Sequence, residues 1–170
     1  MDKKVIIAVI ATLIIFAGGF YLVSRGDNSA SDVSLAKVEA ADVEVTPDNY
    51  DIGRVLMKSG VVTREYEIKN NSENALRLKK IVTSCMCTKA QVVVGDKRTR
   101  LYAMEMAGGA KNPIINFDIP GKSTAKVIVK FDPAVHGIQG AGVIDRSVLL
   151  TFIDPVGTKE VTFNGEVVLK

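Results

Sequence analysis

The sequence predicts an all-β domain, an antiparallel β-sandwich of about seven short strands, preceded by one N-terminal transmembrane helix. Three observations point there. Residues 5–23 form an uncharged apolar run. From Asp42 onward, apolar and polar side chains alternate with a period of two. Clusters of Asn, Gly, Pro and Ser break that alternation at short intervals. The chain accordingly divides into an anchor (1–25), a linker (26–41) and a sandwich domain (42–170).

The apolar run reads VIIAVIATLIIFAGGFYLV, 19 residues. A helix of that length spans about 28 Å, close to the hydrocarbon thickness of a bilayer. Tyr21 sits near its outer end, where an amphipathic ring suits the headgroup layer. Lys3 and Lys4 precede the run and Arg25 follows it. A four-residue tail before the helix and a large domain after it place the N-terminus in the cytoplasm and the domain outside. The expected location is the cell membrane, single-pass, with the domain extracytoplasmic. The competing reading is a cleaved signal peptide, whose apolar region is shorter and ends at a small-x-small site. Here Ser24-Arg25-Gly26-Asp27-Asn28 follows instead.

Residues 26–41 are polar and read as a spacer. Then Val43 and Val45 alternate with polar neighbours up to Pro47, and Tyr50 and Ile52 continue to Gly53. Arg64, Tyr66 and Ile68 alternate with Thr63, Glu65, Glu67 and Lys69. Leu76 and Leu78, then Val127, Val129 and Phe131, then Val148, Leu150 and Phe152, then Val161 and Phe163 mark further strands. Successive side chains of a strand point to opposite faces, so each run buries one face and wets the other. Turn chemistry separates the runs at Asn70-Asn71-Ser72-Glu73-Asn74, Pro120-Gly121-Lys122-Ser123, Asp132-Pro133 and Asp154-Pro155-Val156-Gly157. Residues 95–116 interrupt the rhythm. They read as a strand or hairpin arm carrying Leu101, Tyr102, Met104 and Met106, followed by a flexible loop at Gly108-Gly109. Binding function tends to sit on such insertions.

Composition excludes several classes. Without Lys3, Lys4, Arg25 and Asp2, the 22 basic and 19 acidic residues fall to 19 and 18. The domain is nearly neutral and lacks the basic stripe that a nucleic acid would need. One histidine, no G-x-S-x-G and no H-E-x-x-H leave hydrolytic catalysis without support, so the expected role is not enzymatic. Two cysteines are too few for a disulfide framework.

The motifs occur in a familiar order: Tyr50-Asp51-Ile52-Gly53, Lys69-Asn70-Asn71-Ser72, Ser84-Cys85-Met86-Cys87-Thr88, Pro120-Gly121 and Phe131-Asp132-Pro133. The series resembles an uncharacterised family of bacterial exported domains, a domain of unknown function with an immunoglobulin-like sandwich and an S-C-G-C-T motif. The resemblance covers roughly residues 43–168. It implies an immunoglobulin-like fold and export, and no activity. Met86 stands where that family has Gly, and Ser72 where Gly closes the turn.

Cys85-Met86-Cys87 is the one local cluster with chemical potential. Alternate residues of a strand share a face, but their Cα atoms lie roughly 6.5–7 Å apart, at the edge of disulfide reach. A bridge therefore needs a bend. Three readings stand side by side: a structural disulfide or half-buried thiols, a soft-metal site, and thiol–disulfide exchange. Met86, Met104, Met106 and His136 join as ligand candidates if the insertion folds over the cysteines. His136, alone in a Gly-rich loop, otherwise reads as a solvated side chain, and Met104 and Met106 as packing residues. Asn70-Asn71-Ser72 matches a glycosylation acceptor but reads as turn geometry. The leading expectation is a membrane-tethered structural or protein-interaction module of the cell envelope. It carries no cofactor, and its partners are an unknown envelope protein, met at sheet edges or the insertion, and the bilayer through residues 5–23. The alternative is a copper-binding or thiol-redox factor using Cys85 and Cys87.

Overall fold

Alternation becomes strand wherever one face can be buried, and it does so repeatedly here. The computed structural model describes residues 42–109, 111–154 and 156–170. The expected anchor at 5–23 and linker at 26–41 lie outside the described residues. Among the described residues, no helix is long and apolar enough to cross a membrane.

Among the described residues ten strands run in chain order: β1 (Val43–Thr46), β2 (Asn49–Leu56), β3 (Val62–Asn70), β4 (Leu76–Thr83), β5 (Thr88–Val94), β6 (Lys97–Arg98), β7 (Phe117–Ile119), β8 (Thr124–Phe131), β9 (Gly142–Asp154) and β10 (Val156–Val168). They form two five-stranded sheets, ordered β1-β3-β8-β5-β6 and β2-β10-β9-β4-β7. The expected count of about seven matches only the longer strands, since β1, β6 and β7 have four residues or fewer. The expected antiparallel pairing needs correction too. β2 lies parallel to β10, while the other ladders are antiparallel. β2 joins its sheet beside a strand more than a hundred residues away, and such a pairing leaves no hairpin signature in the sequence.

The inward rows of both sheets meet in one cluster that includes Tyr66, Ile68, Val92, Val127 and Val129 from the first sheet and Leu78, Ile81, Leu150, Phe152 and Phe163 from the second. Each such side chain contributes about 1.5–3 kcal/mol on burial. Tyr66 stitches the layers together: its hydroxyl donates to the Thr162 carbonyl at 2.7 Å, and its ring meets Tyr50 edge-on at 4.9 Å. Burial, then the neighbouring Tyr50, holds the Tyr66 phenol above its usual range, so it stays a neutral donor. The unit Lys37–Lys170 contains every described strand and the whole described core.

Two irregularities shape the sheets. In β2, Gly53 takes φ 65° with its N–H on Asp51 Oδ1, opposite a register shift between Asn164 and Glu166. The Asp-Ile-Gly motif therefore builds a bulge, at a φ that favours glycine. In β4 the register shifts between Leu78 and Lys80. Leu76 and Leu78 face the core before the shift, and Ile81 and Thr83 after it. The inward parity thus changes from even to odd and leaves Thr83 facing the core where the strand ends.

The insertion is more ordered than a hairpin arm with a flexible tail. One residue pair, Tyr102 with Ala90, bridges to β5 through two 2.8 Å hydrogen bonds. Asn112 Nδ2 then donates to the carbonyls of Ile81 (3.0 Å) and Ala103 (2.8 Å), and Ile115 N donates to Lys79 O at 2.8 Å. Glu105 accepts from Lys80 Nζ at 2.9 Å and from Asn112 N at 2.7 Å. The Lys80 bond, supported by Asn112 and Lys111, outweighs partial desolvation and lowers the Glu105 pKa.

Asn70 is fully buried. Its Nδ2 donates to the carbonyls of Asn74 (2.8 Å), Ile119 (3.1 Å) and Pro120 (3.0 Å). Its Oδ1 accepts from Ser72 N at 3.0 Å. Asn70 therefore fastens two turns together and presents no amide for glycosylation.

Candidate functional site

β4 and β5 lie in different sheets, and only Ser84-Cys85-Met86-Cys87 connects them. The chain must therefore fold back sharply as it crosses between layers. Buried Thr83 organises the crossing: its hydroxyl lies 2.9 Å from Cys85 O and 3.0 Å from Thr88 O. Thr88 N donates to Cys85 O at 3.1 Å and closes a turn. Met86, at the tip, is 46 % exposed. It is not among the residues with positive φ, so the departure from Gly at this position does not strain the backbone. Cys87 O accepts from Asp132 N at 2.9 Å, tying the turn to the exit of β8.

The bend that a bridge requires is present. Cys85 and Cys87 have Cα atoms 5.2 Å apart and form a disulfide. This is shorter than extended-strand spacing and within the usual range for a bridge. Both cysteines are buried, at 8 % and 3 % exposure.

The second loop of the site, residues 132–141, links β8 to β9 and so also crosses between sheets. Asp132 Oδ1 accepts from Ala134 N at 2.9 Å, Gly137 N donates to Ala134 O at 2.9 Å, and a 3-10 turn follows at Gly137–Gly140. Gly140 packs directly on His136: a Cβ there would lie 2.9 Å from His136 Cβ. This close approach holds His136 over the disulfide, with Nε2 3.2 Å from Cys85 Sγ. A disulfide sulfur can only accept, so the contact uses the Nε2–H tautomer. The sequence reading left His136 in solvent. The structure keeps it exposed but brings its ring onto Cys85, because both inter-sheet loops close the same end of the sandwich.

Cys85 Sγ, Cys87 Sγ and His136 Nε2 all lie within 4.8 Å of one another. The segment around Met104 and Met106 is tied to Lys79, Lys80 and Ile81, several residues before Cys85. The insertion instead contributes Leu101 to a cleft of about 280 Å³ beside Cys87. Exposed Val61, Met86 and Val135 share that cleft. So do Lys89 and Lys130, which face each other directly across β5 and β8. Like charges opposed in this way are destabilising on their own.

Sequence reasoning placed Leu101 on the insertion and missed Thr83, which faces inward by a parity readable only once the β4 bulge is known.

A family model described as "Protein of unknown function (DUF1573)" matches residues 43–97. The match includes Cys85 and Cys87 and stops as the insertion begins, short of the residues 43–168 expected from the motifs. No curated protein matches the chain. Among solved structures, a protein of unknown function from Porphyromonas gingivalis W83 aligns with TM-score 0.52 and 18% identity, over 73% of this chain and 46% of that one. This chain thus corresponds to less than half of that protein. A family 123 glycoside hydrolase from Clostridium perfringens aligns with TM-score 0.47 and 8% identity, over 71% of this chain and 23% of that one. The secreted serine protease VesC from Vibrio cholerae aligns with TM-score 0.41 and 10% identity, over 69% of this chain and 21% of that one. What this chain has in common with the Porphyromonas gingivalis protein is the all-β fold alone.

Proposed function

We propose that this chain is a membrane-tethered, extracytoplasmic sandwich of immunoglobulin-like type that binds Cu(I) through reduced Cys85 and Cys87 together with His136. One observation carries the reading: three soft or borderline donor atoms converge within 4.8 Å from two separate inter-sheet loops. Thiolate and imidazole donors suit Cu(I), whereas a structural zinc site takes four protein ligands and has three here among the described residues. Export is supported by the apolar run at 5–23 and by the disulfide, which persists in oxidising compartments. The disulfide is the resting form. Two electrons from a thiol reductant convert it to the metal-binding dithiol.

The test is an anaerobic Cu(I) titration of the reduced full chain, in detergent, against a chromophoric Cu(I) chelator. One equivalent is retained per chain. The oxidised chain and the double variant Cys85→Ser, Cys87→Ser retain none, and His136→Ala binds more weakly. No retention by the reduced chain, or equal retention by the double variant, overturns the reading.

A second capacity, binding of another envelope protein, is supported by the exposed apolar residues Val61, Met86, Leu101 and Val135 around the cleft. Strand addition has less support. β1, β6 and β7 are short edges, and the longer edge strand β2 is broken by its bulge.

A further inference from the structure

The two cysteines of the disulfide have different surroundings. Cys87 lines the cleft, whereas Cys85 contacts His136. Thiol–disulfide exchange distinguishes an attacked sulfur from a leaving sulfur, and a stabilised leaving thiolate departs faster. The cleft also carries charge, from Lys89, Lys130 and Asp132. No ion pair engages Lys89 or Lys130 among the described residues, and Asp132, the acidic group of the cleft, caps its own turn through Ala134 N. An extended ligand with acidic groups relieves the Lys89–Lys130 opposition, while its apolar side chains cover Val61, Met86, Leu101 and Val135.

We infer that the cleft beside Cys87 docks an acidic, dithiol-bearing segment of a partner protein, which reduces the disulfide by attack at Cys87 with Cys85 as the leaving group. This rests on the reading that the reduced pair is the functional form. In the first step a partner thiolate bonds to Cys87 Sγ. The Cys85–Cys87 bond breaks, and its electron pair goes to Cys85 Sγ, which accepts a hydrogen bond from His136 Nε2–H. In the second step the partner's other thiolate attacks its own bridged sulfur. The bond to Cys87 breaks, its electron pair goes to Cys87 Sγ, and the partner leaves as a disulfide. The two protons lost by the partner's thiols reach Cys85 and Cys87 through water. Two electrons pass to this chain and none are left over.

The experiment uses the oxidised full chain and synthetic peptides of apolar and acidic residues bearing a single cysteine, so that the reaction stops at the mixed disulfide. Iodoacetamide quenches it, and peptide mass spectrometry locates the adduct. The expected result is peptide on Cys87 and the alkyl group on Cys85. The acidic peptide reacts at least tenfold faster than a version with lysine in place of its acidic residues. The double variant Lys89→Glu, Lys130→Glu reverses that preference, and His136→Ala slows the acidic peptide severalfold. An adduct on Cys85, equal adducts on both cysteines, or equal rates for the two peptides would overturn the inference. No copper is present, so this outcome is independent of the Cu(I) titration.

Discussion

Replacing Thr83 with Val tests whether one buried hydroxyl organises the turn that carries both cysteines. Val preserves the shape and branching of Thr, so no cavity opens, and the change is confined to the hydroxyl. That hydroxyl has one proton for two acceptors, Cys85 O at 2.9 Å and Thr88 O at 3.0 Å. Cys85 O keeps its second donor, Thr88 N at 3.1 Å. The loss is therefore one buried neutral hydrogen bond plus part of the desolvation of a carbonyl, about 1–2 kcal/mol together. With a urea dependence of about 1.5 kcal/mol per M, the unfolding midpoint of the fragment 37–170 falls by roughly 1 M. The same loosening weakens Cu(I) retention by the reduced chain up to about tenfold, whereas Thr83→Ser, which keeps the hydroxyl, retains Cu(I) like the wild type. A Thr83→Val fragment that unfolds at the wild-type midpoint would refute this account of the turn.

Three other outcomes follow from named contacts. Asn70→Ala removes a donor from the carbonyl of Ile119 and from those of Asn74 and Pro120, which keep Ser72 Oγ and Ser123 Oγ, and destabilises the fragment by about 1–3 kcal/mol, measured by urea unfolding. Glu105 has its pKa lowered from 4.5, chiefly by the Lys80 hydrogen bond, so its contribution is present above that pH and fades as pH falls through the lower folded value. Glu105→Gln is therefore less stable than wild type at neutral pH, and the difference shrinks in acid; a constant difference across pH counts against the pairing. Gly140→Ala pushes a Cβ to within 2.9 Å of His136 Cβ, so it weakens Cu(I) retention in the chelator competition and slows formation of the Cys87 adduct, in the same direction as His136→Ala.

Much of the sandwich was legible because burial of one strand face imposes period two, as at Tyr66 and Ile68 or at Val148, Leu150 and Phe152. β5 escaped notice because its Val-Val-Val run hides the buried pair Ala90 and Val92. The parallel partner of β2 lies on β10, and the sequence carries no local mark of it. The cysteine pair was visible from its spacing, and the bend it needed was inferred. Its surroundings were not. His136 reaches Cys85 across a separation of 51 residues, and only the closure of two loops at one end of the sheets brings them together. The inward orientation of Thr83 at the end of β4 depends on a bulge at Leu78 and Lys80, where the sequence offers consecutive lysines and no glycine to mark it.

Copper K-edge X-ray absorption on the reduced, Cu(I)-loaded full chain tests the central claim most directly. The account predicts a first shell of two sulfurs and one nitrogen, from Cys85, Cys87 and His136, with the nitrogen lost in His136→Ala. A shell without sulfur, or one that His136→Ala leaves unchanged, would contradict it.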